Sequence, residues 1–158
     1  MMRIILSVLI LLFAISLNPA MAQVSGVTVV NNLTFGDVFP GIPKEVSEKT
    51  PGQAAEYSVT GVAGSEVQID FTLPTYMNNV GYNMQMIFKD TDCSLDSSGS
   101  ADQTAPLYAD QNPWKAITYG IGSGGISIWL GGKVVPKLKQ EQGSYSADIV
   151  ITVTYLGK

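Results

Sequence analysis

The sequence predicts an all-β fold, a sandwich or barrel of about eight short antiparallel strands. Three observations predict it. Apolar and polar residues alternate with period two in several runs, glycine and proline bound those runs, and helical periodicity is almost absent after the first two dozen residues. Successive side chains of a strand point to opposite faces, so each alternating run buries one face and wets the other.

The runs are taken in chain order. Leu33-Thr34-Phe35 opens the domain, and Ala55, Tyr57 and Val59 alternate with Glu56, Ser58 and Thr60. After the Gly61–Gly64 break, Val67, Ile69, Phe71 and Leu73 alternate with Glu66, Gln68, Asp70 and Thr72. Tyr82, Met84, Met86 and Phe88 form the next row, with Ile87 as an apolar exception on its wet side. Pro113–Tyr119, Ile126–Leu130 and Lys133–Leu138 are weaker strands, and Gly131-Gly132 reads as a two-residue hairpin turn between the last two. The longest row is Tyr145, Ala147, Ile149, Ile151, Val153 and Tyr155, with Val150 among the polar residues opposite. The expected shared core is Val67, Ile69, Phe71, Leu73, Ile149, Ile151 and Val153. Two stretches read as other than core strands: Pro40–Gly52, broken by prolines and glycines, and the acidic, Ser-rich Asp90–Asn112.

The amino terminus reads as an export signal. Arg3 precedes an apolar run from Ile4 to Leu17, then Pro19 and Ala20-Met21-Ala22, with small residues at −3 and −1 of a cut after Ala22. The run is shorter than the roughly 20 residues of a spanning helix. The expected organisation is a signal peptide over 1–22 and a single β-sandwich domain over 23–158. The protein is then exported, to the periplasm, cell surface or exterior, with no membrane insertion after cleavage.

Charge narrows the function classes. Arg3 is the only arginine, histidine is absent, and the net charge is −4. Without Arg3, eight lysines face 13 acids, which argues against nucleic-acid binding. A chain without histidine lacks the commonest general base, and its strand carboxylates alternate with core residues, so no enzyme is expected and no residue receives a catalytic role. Cys93 is the only cysteine, so no internal disulfide forms. Its acidic surroundings disfavour the thiolate.

Other constellations fall short of a site. Asp90, Asp92 and Ser94 keep the spacing of the first ligands of a calcium loop, with Asp96 close by. Leu95 stands where the turn glycine belongs and Ala101 where the bidentate Glu belongs, so a solvated acidic loop is the expectation and no metal or cofactor is assigned. The cluster Gly120–Gly125 runs into a strand rather than a helix, so it reads as a loose turn and not a phosphate cradle. Trp129 falls on the face opposite Ile126, Ile128 and Leu130. There it is either a glycan platform or subunit contact, or a residue covered by a loop.

Several pieces together resemble a known family. Leu33-Thr34-Phe35-Gly36-Asp37-Val38-Phe39-Pro40-Gly41, Ala55–Gly61, Phe71-Thr72-Leu73-Pro74, Gly131-Gly132, Gly143-Ser144-Tyr145-Ser146 and Val153-Thr154-Tyr155 resemble, in order and spacing, domain-of-unknown-function family 4402. That family looks distantly similar to spore-coat-U and Csu-type fimbrial proteins. The resemblance implies an immunoglobulin-like sandwich and a structural or adhesive surface role, such as a fimbria-like subunit. It implies self-association or contact with other surface proteins, and it carries over no catalytic residue. A monomeric extracellular binding module, for glycan or calcium, is the alternative. Unlike many fimbrial subunits, this chain has no disulfide, and only Val27 and Val29 alternate before Asn31. The segment Gln23–Asn32 is therefore expected to pair within its own chain or to stay loose.

Overall fold

The computed structural model describes residues 24–157. The export signal expected over 1–22 lies outside the described residues. The described chain is all-β and antiparallel, as expected, but it has twelve strands rather than about eight: β1 (Val24–Asn31), β2 (Lys44–Val46), β3 (Ala55–Gly61), β4 (Glu66–Thr72), β5 (Tyr76–Asn79), β6 (Tyr82–Ile87), β7 (Cys93–Asp96), β8 (Tyr108–Gln111), β9 (Ile117–Gly120), β10 (Ile126–Leu130), β11 (Gly132–Val135) and β12 (Val150–Gly157). They form three sheets, ordered β1-β3-β10-β7-β8, β2-β11-β6-β5 and β12-β4-β9.

The five-stranded and three-stranded sheets supply the facing layers. Tyr57 on β3 and Phe71 on β4 meet across the gap, with ring centroids 6.1 Å apart. Along one side Tyr108 and Tyr119 close the layers edge to face at 4.6 Å. The inner face of the large sheet is Tyr57 and Val59, Ile126, Ile128 and Leu130, and Cys93 and Leu95, all buried. Val67 and Ile69 oppose them at 0 % exposure. Phe71, Leu73, Ile149, Ile151 and Val153 pack on this core but are only partly buried. Ile151 and Val153 lie on β12, an edge strand beyond which nothing pairs over Val150–Gly157 among the described residues, while Phe71 lies on β4 past the end of its pairing with β9 at Ile69.

The four-stranded sheet is a continuation of the large one, folded over at a corner. Three connections cross there: β2 to β3, β6 to β7, and β10 to β11. On one side β11 pairs with β2 and β6, and on the other β10 pairs with β3 and β7. The tightest crossing is Gly131 alone, whose N–H donates to the Asp92 carbonyl at 2.8 Å. Gly131-Gly132 is therefore no hairpin turn, because the strands on either side of it lie in different sheets.

Other sequence expectations shift for similar reasons. Leu33–Phe35 lies outside any strand, and the opening strand is β1, paired with β3 of its own chain. The Pro40–Gly52 stretch contains β2, and Asp90–Asn112 contains β7 and β8. The Gly120–Gly125 segment is a tight turn rather than a loose one: Gly122 and Gly125 exchange backbone hydrogen bonds at 3.3 and 3.1 Å. The long carboxyl-terminal row divides, because Val150–Gly157 pairs with β4 while Ser146 alone bridges to Asn78 of β5.

Candidate functional site

The outer face of the large sheet is covered. Trp129 stands between Glu56 and Ser94 in the strand registers and is 2 % exposed, so it is no open platform. The segment 47–54 folds over this face. Its Glu48 carboxylate accepts a hydrogen bond from Ser94 Oγ at 3.3 Å, and its Glu48 carbonyl accepts one from Gln103 Nε2 at 2.7 Å. Of the three apolar residues on nominally wet faces, Trp129 is thus buried by loops, while Ile87 and Val150 are 37 % and 50 % exposed.

The acidic stretch is structured rather than solvated. Asp92 and Asp96 are 5 % and 4 % exposed. Asp92 accepts the Lys89 N–H at 2.8 Å, and burial pushes its carboxyl above the usual range. Asp96 accepts N–H groups from Ser98 at 2.7 Å, Leu107 at 3.4 Å and Asp102 at 3.5 Å. Burial alone would raise Asp96, but hydrogen bonds from Ser98, Asp102 and Leu107 outweigh it and hold the carboxyl low. The calcium-like spacing therefore falls partly on strand β7, and the oxygens of Asp92, Ser94 and Asp96 are engaged with protein groups. Among the described residues no group of three or more His, Cys, Asp or Glu side chains is placed to hold a metal.

Cys93 also lies in β7, opposite Leu130, and is fully buried. Burial, with Glu48 nearby, pushes its thiol up to about 12. The native protein should therefore be inert to a thiol reagent at pH 8 and give no covalent dimer on a non-reducing gel. One equivalent of thiol should appear only on unfolding. Rapid labelling of the native protein would place Cys93 at the surface and contradict this.

A trough of mixed polar and apolar lining is the first feature. One lobe, of about 640 Å³, lies between the segments 33–40 and 140–145, over Met77, Met84 and Val134. A second, of about 400 Å³, continues to Val29, Tyr57, Met86 and Ile149. Leu33, Phe35, Met77 and Tyr145 line both lobes, so the two form one elongated trough. Its walls are extended chain outside the strands: 32–39 on one side, and 140–149 on the other except at Ser146. The rim is polar. Gln140 Nε2 donates to Tyr145 Oη at 2.7 Å, and Tyr145 Oη donates to the Glu141 carbonyl at 2.8 Å.

The flanking strand edges are the second feature. β1 and β12 end their sheets, run eight residues each and approach one another. Neither contains a charged residue or a proline. The other four sheet-ending strands, β2, β5, β8 and β9, are three or four residues long. Short or charged edges prevent unwanted strand addition, and β1 and β12 have neither protection. No sequence signal pointed to the trough itself. The resemblance motif at Leu33–Gly41 did fall on its wall.

These features define an all-β sandwich-like domain with a concave surface beside two long open strand edges. Residues 44–155 match the family described as Domain of unknown function (DUF4402), and the chain belongs to that family. The matched range leaves out the Leu33–Gly41 motif and β1. No curated protein matches the chain.

Proposed function

We propose that this is an exported, non-catalytic protein of the cell surface, structural or adhesive in role and fimbria-like in its assembly. It works by adding strands between chains. The observation that carries the reading is the pair of long, charge-free edges β1 and β12 beside the trough. Strand addition takes its affinity from main-chain hydrogen bonds and its specificity from pockets for alternate side chains, and this side of the domain offers both. The alternative, a monomeric module binding a small ligand, draws on the trough alone.

The test is size in solution. The protein, expressed as the full chain and purified, should form concentration-dependent oligomers by analytical ultracentrifugation, unchanged by reductant because Cys93 is buried. A single monomeric species up to millimolar concentration would reject assembly and select the monomeric module.

A further inference from the structure

We infer that β1 is the contact through which two copies of this chain pair, antiparallel and about a two-fold axis at Thr28. The inference rests on the reading of the protein as self-associating, and it names the partner and the register.

Four observations lead to it. First, β1 overhangs the core. In the β1–β3 register Val27 faces Val59 and Val29 faces Tyr57, so both valines point to the inner face. Val59 and Tyr57 are 0 % and 4 % exposed, yet Val27 and Val29 are 41 % and 57 % exposed. Second, β1 pairs with β3 alone among the described residues, so its far edge is free. Third, no residue between Arg3 and Asp37 is charged, in a chain of net charge −4. Acidic copies repel one another least where they carry no charge.

The fourth observation is the sequence of β1 itself. Pairing two copies about Thr28 sets Val27 opposite Val29 of the second copy, and Val29 opposite its Val27. The two valine pairs cover the exposed inner face, and Thr28 meets its own counterpart on the outer face, where it is exposed. Facing β-branched and Thr–Thr pairs are among those that stabilise antiparallel neighbours. A register centred between two residues would turn one copy's core to the wrong side of the joint sheet. A centre at Val27 would instead oppose Val29 with Ser25. Irregularities between Val24 and Gly26 and between Val29 and Asn31 bracket the regular stretch and confine the pairing to it. The product is a continuous ten-stranded sheet, five strands from each copy, with an isologous interface.

The experiment uses the full chain with single substitutions. Thr28→Cys places two thiols opposite each other and should give nearly complete disulfide-linked dimer on mild oxidation. Val27→Cys should give little, because like residues two positions off register lie roughly 7–8 Å apart. Thr28→Lys sets two ammonium groups face to face and should weaken the dimer at least tenfold. Its melting temperature should hold, since residue 28 is exposed. If oligomers persist in Thr28→Lys, or Thr28→Cys does not cross-link, the β1 contact is wrong while the self-associating reading stands. Cross-linking by Val27→Cys equal to that by Thr28→Cys overturns the register. Intermolecular cross-linking of Thr28→Cys with Ser58→Cys would show β1 exchanged onto the partner's β3, which also overturns it. A wild-type protein that never associates overturns both this inference and the reading beneath it.

Discussion

Replacing Trp129 with alanine is expected to cost about 3–5 kcal/mol, the usual range for deleting a buried indole. For a domain of this size that lowers the melting temperature by roughly 10–20 °C. The reasoning starts from strand alternation. Trp129 points away from the core shared by Ile128 and Leu130, so a sheet with a wet outer face would leave it open. Instead the face is roofed by the segment carrying Glu48, and the indole is 2 % exposed. Its removal leaves a cavity under that roof. Trp129→Phe should cost far less, about 1–2 kcal/mol. The indole Nε1 has no hydrogen-bond partner among the described residues, so dropping it breaks no bond. Thermal melts of the two variants decide the matter. An alanine variant melting within a degree or two of the parent would mean an exposed ring, since surface changes usually stay within about 0.5 kcal/mol.

Gly131→Ala should be at least as damaging, by a different mechanism. A Cβ at this corner would lie 2.6 Å from the Val46 carbonyl oxygen, 2.6 Å from the Glu48 nitrogen and 2.9 Å from the Ser47 carbonyl carbon. All three are backbone atoms, so no side chain can swing aside. The clash must displace either the sheet edge at β2 or the crossing from β10 to β11. Overpacking of this kind costs about 1–3 kcal/mol where side chains can adjust, and the rigid corner puts this substitution at or above the top of that range. Gly120→Ala is the matched control. It sits in β9 with no heavy atom within 4 Å of the added carbon and no left-handed φ. It should be neutral or stabilising by roughly 0.4–1 kcal/mol through the unfolded chain. Denaturant melts should therefore show a clear loss for Gly131→Ala and none for Gly120→Ala, and equal losses would remove the steric argument.

The sequence showed best where one face of a strand is wet. β3 and β4 follow their apolar rows closely because Val59 and Ile69 alternate with polar neighbours. The pattern failed where both faces are covered. All four residues of β7, Cys93-Ser94-Leu95-Asp96, are buried, so Ser94 and Asp96 read as loop polarity although they lie under a roof of other loops. Glu48, 6 % exposed, escaped notice for the same reason. Short strands such as β2 and β5 are fixed by their neighbours rather than by local pattern. Gly131 carried a turn-like signal that was correct about tight backbone but silent about two sheets meeting there. The trough is made by chain segments far apart in sequence, and alternation carries no information about such a meeting.

The three-stranded sheet has a consequence for the order of events in folding. Its central strand β4 pairs with β12 from Val150↔Thr72 to Gly157↔Glu66, so the middle of the chain waits for its last residues. Contacts so far apart along the chain slow folding, because the intervening loop must close before the pairing contributes. A chain delivered amino-terminus first keeps Val67, Ile69 and Phe71 without that neighbour until residue 157 emerges. Until then the three-stranded sheet lacks its edge, and the pairing of this last strand completes it.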